Sequence, residues 1–353
     1  MLVSDFDFDL PSELIAQEPP IERGMSRLLR LERGSASISH HAMSALPELL
    51  EPGDLLVVNN TRVFPARLLG RRDPSGGAVE CLLVSKLEPA DASGAETWEA
   101  LVHPGQKLKP GARAVFDGPM PLHAEILEHR FFGRRVVRLW TSNGSPIEAA
   151  VDVMGHMPLP PYIRRPDSTE DRERYQTVFA QARGSIAAPT AGLHFTPSLL
   201  RALQARGVER AEVTLHVGYG TFQPIRVNEV EAHRMESEQF EISEAAAASI
   251  NNALDAGRRV ISVGTTTTRT LESVALAHSG RIVAGRGSTD LFIYPGFDFR
   301  VLSGLLTNFH LPKSSLLMLV SAFGGRENVL NAYRAAVEHH YRFYSYGDAM
   351  LVV

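Results

Sequence analysis

The chain has 353 residues, 44% hydrophobic and 22% charged, the balance of an ordinary globular protein with room for two domains. A formal net charge of −4 excludes a global basic field for nucleic acid. The single cysteine, Cys81, excludes an internal disulfide, a cysteine-rich zinc site and an iron–sulfur cluster held by this chain alone.

The acidic start MLVSDFDFDLPSEL lacks the basic region of a secretory signal. No apolar run reaches the roughly 18 residues of a membrane span, so a cytoplasmic protein is expected. EPGDLLVVNNTRV (51–63) reads as one strand. From Val63 to Ala150, short β-rich runs such as AVECLLVS and RRVVRLW alternate with Gly/Pro/Asn turns, the texture of a small barrel or sandwich. After Ala150 comes the Pro-rich connection MGHMPLPPYIRRP. From about residue 185, strands (AEVTLHVG, RRVISVG, TDLFIYPG, GLLTNFHL) alternate with helices expected at 197–206, 244–256, 266–278, 314–323 and 326–342. Thr196 and Ser243 are the expected N-caps of the first two helices, with Gly207 and Gly257 as their stops. The expected fold is α/β: a discontinuous α/β catalytic domain (1–62 and 151–353) with an inserted all-β, barrel-like domain (63–150).

Three segments share the layout strand, polar loop, helix start: IAAPTAGLHFTP (186–197), ISVGTTTTRTLES (261–273) and LLTNFHLPKSS (305–315). Ligands of α/β sheets bind at the carboxyl ends of strands, where helix N-termini offer free N–H groups. The loops bring Thr190, Gly192, His194, Thr265, Thr266, Thr267, Thr268, Arg269, Asn308, His310, Lys313 and Ser314 as candidates. The ordinary alternative is that the hydroxyls cap helices and each histidine is a core residue. VTLHVGYGTFQP adds His216, opposite the apolar face of its strand, and Gly218 and Tyr219 in a turn open to backbone approach. EAHRMESEQF clusters His233, Glu236 and Glu238, as a base or as a solvated charged face. Walker A, Gly-x-Gly-x-x-Gly, His-Glu-x-x-His and Gly-x-Ser-x-Gly motifs are absent.

These blocks, together with DFDFDLPSELIAQEP, PGDLLVVNNTRVFPARL, RYQTVFA and YRFYSYGDAML, run nearly end to end. In that order they resemble the S-adenosylmethionine:tRNA ribosyltransferase-isomerase family of queuosine biosynthesis. The resemblance implies an enzyme that uses S-adenosylmethionine as a ribosyl donor. The implied acceptor is 7-aminomethyl-7-deazaguanine at the tRNA wobble position. The products would be epoxyqueuosine-tRNA, adenine and methionine. It further implies that S-adenosylmethionine is a consumed substrate and that no metal or other cofactor is needed. Tyr346, Tyr344 or Tyr294 would stack on a base, and Arg62, Lys313 or Arg342 would meet phosphate or carboxylate. Thr265 to Thr268 and Arg269 would hold hydroxyls or the methionine carboxylate. One of His194, His216, His233 and His310 would be the base, because the sulfonium acidifies the adjacent C–H and an imidazole titrates near neutrality.

Two positions depart from the family pattern: Glu236, where a second histidine is common, and Asn60, where an acid is common. A monomer is expected. The rival readings are an RNA-binding protein without catalysis, which would release no adenine, and a methyltransferase, which would form S-adenosylhomocysteine.

Overall fold

A computed structural model describes residues 1–130, 133–218, 220 and 225–353. In chain order its strands are β1 (Arg27–Leu31), β2 (Ile38–Ala42), β3 (Leu55–Asn59), β4 (Thr61–Val63), β5 (Arg67–Asp73), β6 (Ala78–Glu88), β7 (Glu96–His103), β8 (Arg113–Phe116) and β9 (Leu122–His129). Then follow β10 (Arg134–Thr141), β11 (Ala182–Ser185), β12 (Glu209–Leu215), β13 (Glu238–Ile242), β14 (Val260–Val263), β15 (Gly285–Thr289), β16 (Gly304–Asn308) and β17 (Ala349–Val352).

Nine of them form one mixed sheet in the order β15-β13-β12-β3-β14-β16-β17-β1-β2. Its centre, β12-β3-β14-β16, is parallel. β17 runs antiparallel to β16. The central strand β3, LLVVN, is buried throughout, as a strand covered on both faces must be. Alternation sends Leu55 and Val57 into one hydrophobic cluster and Leu56 and Val58 into the other. Helices fill both layers. Thr196 caps Pro197–Ala205 by accepting from Leu199 N–H at 3.0 Å, and Ser243 caps Glu244–Asp255 through Ala246 N–H at 3.1 Å. No described helix is long and apolar enough to cross a membrane.

β5 to β10 close into a separate antiparallel barrel, in the order β10-β7-β6-β5-β8-β9. Its strands run from Arg67 to Thr141, inside the expected 63–150 interval. The expected boundary at 150 falls within the helix Ile147–Met154, whose Ile147, Ala150 and Val151 pack into the barrel's core.

Three expected elements differ. The stretch 51–63 is not one strand. Asn59 ends β3 by bonding Thr61 N–H (3.1 Å) and both backbone groups of Leu215, and β4 turns away to pair with β11. TDLFIYPG is not a strand either. The strand lies earlier, at Gly285–Thr289, because that stretch pairs with β13. The residues after it leave the sheet, and Leu291, Phe292, Ile293 and Tyr294 cover the main core. The last helix stops at Glu338 rather than 342, where Tyr341 N–H bonds back to Ala336 C=O at 2.8 Å and His340 takes a positive φ of 53°.

Candidate active site

The carboxyl ends of β14 and β16 open into a cleft of about 560 Å³. β14 is followed by Gly264, whose φ of +89° suits glycine, and the chain enters the helix Thr265–Ala277 with Thr265 and Thr266 on the cleft wall. The free N–H groups of that first turn carry the positive end of the helix dipole. β16 delivers Thr307 and Asn308 to the floor, and the turn after it delivers His310. At the rim, Ser314 accepts from Leu317 N–H (3.2 Å) and so starts the helix Ser315–Gly324. Lys313 pairs with Asp7 at 2.8 Å. Tyr162 and Tyr344 form the aromatic wall, ring centroids 3.9 Å apart, and Tyr344 holds a positive φ of 74°.

His310 is buried, with Nε2 2.8 Å from the Thr307 hydroxyl and its backbone N–H donating to Tyr333 Oη at 3.0 Å. Burial pushes its pKa down to about 3, so the ring is neutral at physiological pH.

His194 does not line this cleft; it stands one layer behind Asn308. Asn308 Nδ2 donates to His194 Nε2 (3.1 Å) and to Tyr344 C=O (3.1 Å), while its Oδ1 accepts from the Thr190 hydroxyl (3.0 Å). These partners fix the amide orientation. His194 Nε2 is therefore an acceptor, and Nδ1 carries the proton toward Ser26 Oγ at 2.8 Å. Burial lowers its pKa to about 4, against the opposing charge of Asp348. His194 is a neutral strut that orients Asn308 and, through it, Thr190 and the Tyr344 backbone.

A second cleft, about 470 Å³, lies on the seam between the barrel and the sheet, and Val217 lines both. It receives His216, Gly218 and Glu236. His216 Nδ1 bonds the Thr61 hydroxyl at 2.8 Å, and burial lowers its pKa. Glu236 shares the Arg134 guanidinium of β10 with Glu99. Gly218 N–H donates to Glu238 at 2.9 Å.

The remaining candidates sit elsewhere. Thr267 bonds Val263 C=O (2.7 Å), and Thr268 bonds Ser262 Oγ (2.7 Å). Arg269 is buried in an ion pair with Glu238 and donates to Leu291 C=O at 2.9 Å, so its charge is committed inside the protein. Gly192 is a packing residue: a Cβ there would lie 2.7 Å from Thr177 and 2.8 Å from Phe179. Tyr346 is buried, its hydroxyl donating to Asp171 at 3.0 Å. Arg62 is exposed on β4. His233 meets Phe292 edge-on at 4.9 Å, outside both clefts. Tyr294 packs on the main core, and Arg342 donates to Glu18 C=O. Asn60 spends its amide on Thr214 (2.7 Å) and Glu212 (3.3 Å). Tyr219 lies outside the described residues. Sequence reasoning missed Ser26 and Tyr162, which are joined to the site only through the fold, and Thr307, which lies within the LLTNFHLPKSS junction. It also missed Trp98 and Arg134, which the barrel supplies.

The family model described as queuosine biosynthesis protein matches residues 3–352. The S-adenosylmethionine:tRNA ribosyltransferase-isomerase of Heliobacterium modesticaldum is 52% identical over 353 residues, covering 100% of both chains. That of Desulfitobacterium hafniense is 50% identical at the same coverage. The crystal structure of an S-adenosylmethionine tRNA ribosyltransferase from Thermotoga maritima is similar with a TM-score of 0.55 and 37% identity, over 99% of this chain and 100% of that one.

Proposed function

This chain belongs to the queuosine biosynthesis family, and from that premise we propose that the strand-end cleft is where its S-adenosylmethionine is bound and consumed. The protein is an S-adenosylmethionine:tRNA ribosyltransferase-isomerase. It transfers the ribosyl moiety of the donor to 7-aminomethyl-7-deazaguanine in tRNA and isomerises it, yielding epoxyqueuosine-tRNA, adenine and methionine.

The observation that carries the assignment is the neutral, buried His310 on the floor of a cleft with a helix N-terminus on its wall. In this reading the N–H groups of the Thr265–Thr266 turn receive the methionine carboxylate, and Thr190 and Asn308 receive ribose hydroxyls. Tyr162 and Tyr344 offer ring faces, which attract a sulfonium as they do other cations. An uncharged imidazole does not repel that sulfonium.

His310 takes the proton from the carbon beside sulfur, and the electron pair left on carbon is stabilised by the adjacent sulfonium. Burial opposes placing a new positive charge on the His310 ring. Proton transfer from a cationic donor instead moves one positive charge within the cleft, so burial opposes it far less. The imidazolium so formed is a strong acid, suited to protonating the departing adenine. No metal or redox group enters the reading, because the sulfonium itself supplies the activation. We further propose a cytoplasmic monomer. A dimeric mass in light scattering would overturn that assembly.

The test is adenine release from S-adenosylmethionine in the presence of tRNA carrying the aminomethyl base. His310→Gln should abolish most of it while leaving donor binding nearly intact. Normal adenine release by that variant would remove His310 from the reaction.

A further inference from the structure

The seam cleft holds features that the donor does not use. Trp98 of β7 lines it, with its indole N–H donating to Glu96 at 2.9 Å. Glu96 is in turn held by Lys86 at 2.8 Å. Phe64 lies beside the indole, ring centroids 6.0 Å apart. The result is an aromatic surface whose orientation is fixed before any ligand arrives.

The charges are arranged to match a donor-rich ligand. Lys86, Arg134 and Arg183 are the cations lining the cleft, against the carboxylates of Glu96, Glu99, Glu148, Glu236 and Glu238. Each of those three cations is already paired: Lys86 with Glu96, Arg134 with Glu99 and Glu236, and Arg183 with Glu148 and Asp152. Arg269 stands behind Glu238 in the same way. Among the described residues, a phosphate entering here finds no uncommitted cation on the cleft wall. A carboxylate, however, offers about four lone-pair sites on its two oxygens, so an ion pair does not by itself exhaust it. The cleft therefore suits a flat, cationic, N–H-rich group.

We propose that the seam cleft receives the acceptor nucleobase, unstacked from the anticodon loop. Trp98 is its stacking platform, and Glu236, with Glu99 beside it on Arg134, reads the aminomethyl cation. This rests on the function given above, which supplies an acceptor of that chemistry. Bases in RNA loops are free to splay onto aromatic side chains, and enzymes acting on a base extrude it into a pocket. A volume of about 470 Å³ accommodates a purine-sized ring. Val217 is common to both clefts, so donor ribose and acceptor amine meet across one side chain. A guanine without the aminomethyl group forfeits the carboxylate contact and is rejected at this point.

The experiment uses the full chain and an anticodon stem-loop bearing either the aminomethyl base or guanine. The sequence has two tryptophans, so Trp140→Phe leaves Trp98 as the sole reporter. Its fluorescence should be quenched by the modified loop and not by the guanine loop. Trp98→Ala should raise the acceptor KM at least about fivefold, the smallest effect expected for one stacked base, with donor affinity unchanged. Trp98→Phe should restore most of it. Glu236→Gln should reduce discrimination between the two loops by about tenfold. Absence of quenching, an acceptor KM for Trp98→Ala within twofold of wild type, or unchanged discrimination by Glu236→Gln overturns the proposal. The quenching measurement stands even where Trp98→Ala does not fold. Misplacement of the donor would be read separately, as unaltered S-adenosylmethionine affinity in strand-end variants such as Thr266→Val.

Discussion

The two clefts touch at Val217 yet handle charge in opposite ways. The strand-end cleft is floored by uncharged groups: a neutral imidazole, an amide and hydroxyls, with Lys313 at the rim already paired to Asp7. The seam cleft is crowded with ion pairs reaching from the barrel to the sheet. A site that must accept a permanent cation and move a proton benefits from neutral, oriented dipoles. A site that must recognise a base benefits from fixed donors, acceptors and a ring face. On the assignment proposed above, the parallel sheet carries the chemistry and the barrel seam the recognition.

The sharpest way to break that contrast is at His310. His310→Gln should lower turnover by about two to four orders of magnitude, the range of a lost general base. His216→Gln in the seam cleft should act mainly on the acceptor KM. Single-turnover adenine release checks both, and the reverse pattern would exchange the roles of the clefts.

Next in size is the buried pair behind the seam. Arg269→Ala removes the guanidinium paired with buried Glu238, and should cost about 3–5 kcal/mol in urea unfolding. If Arg269 instead held the methionine carboxylate, the loss would fall on donor affinity and spare stability.

The neutral histidines give a pH signature. The unfolded chain protonates histidine near 6.5, whereas folded His194 and His310 resist protonation until about 4 and 3. The unfolded state therefore binds more protons as pH falls, and stability declines from about pH 6.5 toward pH 4. Each such histidine contributes a slope on the order of 1.4 kcal/mol per pH unit. Unfolding free energies of His310→Gln across that window should show a shallower slope than wild type.

A smaller effect is expected at Asn308. Asn308→Ala leaves the buried His194 Nε2 without its donor, and should cost about 1–3 kcal/mol and some tenfold in turnover. Smallest is the seam salt bridge. Arg134→Met should cost about 1 kcal/mol or less, and that loss should shrink in high salt.

Local rules made much of the fold legible. Caps at Thr196 and Ser243, glycines after helices, and buried apolar runs such as LLVV all act within a few residues. The shared layout of three junctions identified the sheet end that carries the cleft, because strand ends and helix starts obey the same short-range chemistry. What could not be read was the direction of each side chain once the chain turned. His194 and His310 follow similar junctions, yet one stands behind Asn308, held there by Ser26 from a distant segment, and the other reaches the cleft, held by Thr307 three residues before it. TDLFIYPG reads as a strand by composition, but pairing is decided by the partner, and β13 selects Gly285–Thr289. Arg269 looked available until the fold placed Glu238 against it.

The most direct test of the two-cleft assignment is hydrogen exchange of the full chain with S-adenosylmethionine alone, where no turnover takes place. Exchange should slow at the start of the Thr265–Ala277 helix and across 307–316, with segments 96–99 and 236–239 unchanged until the modified stem-loop is added. Protection by S-adenosylmethionine confined to 96–99 and 236–239 would contradict that assignment.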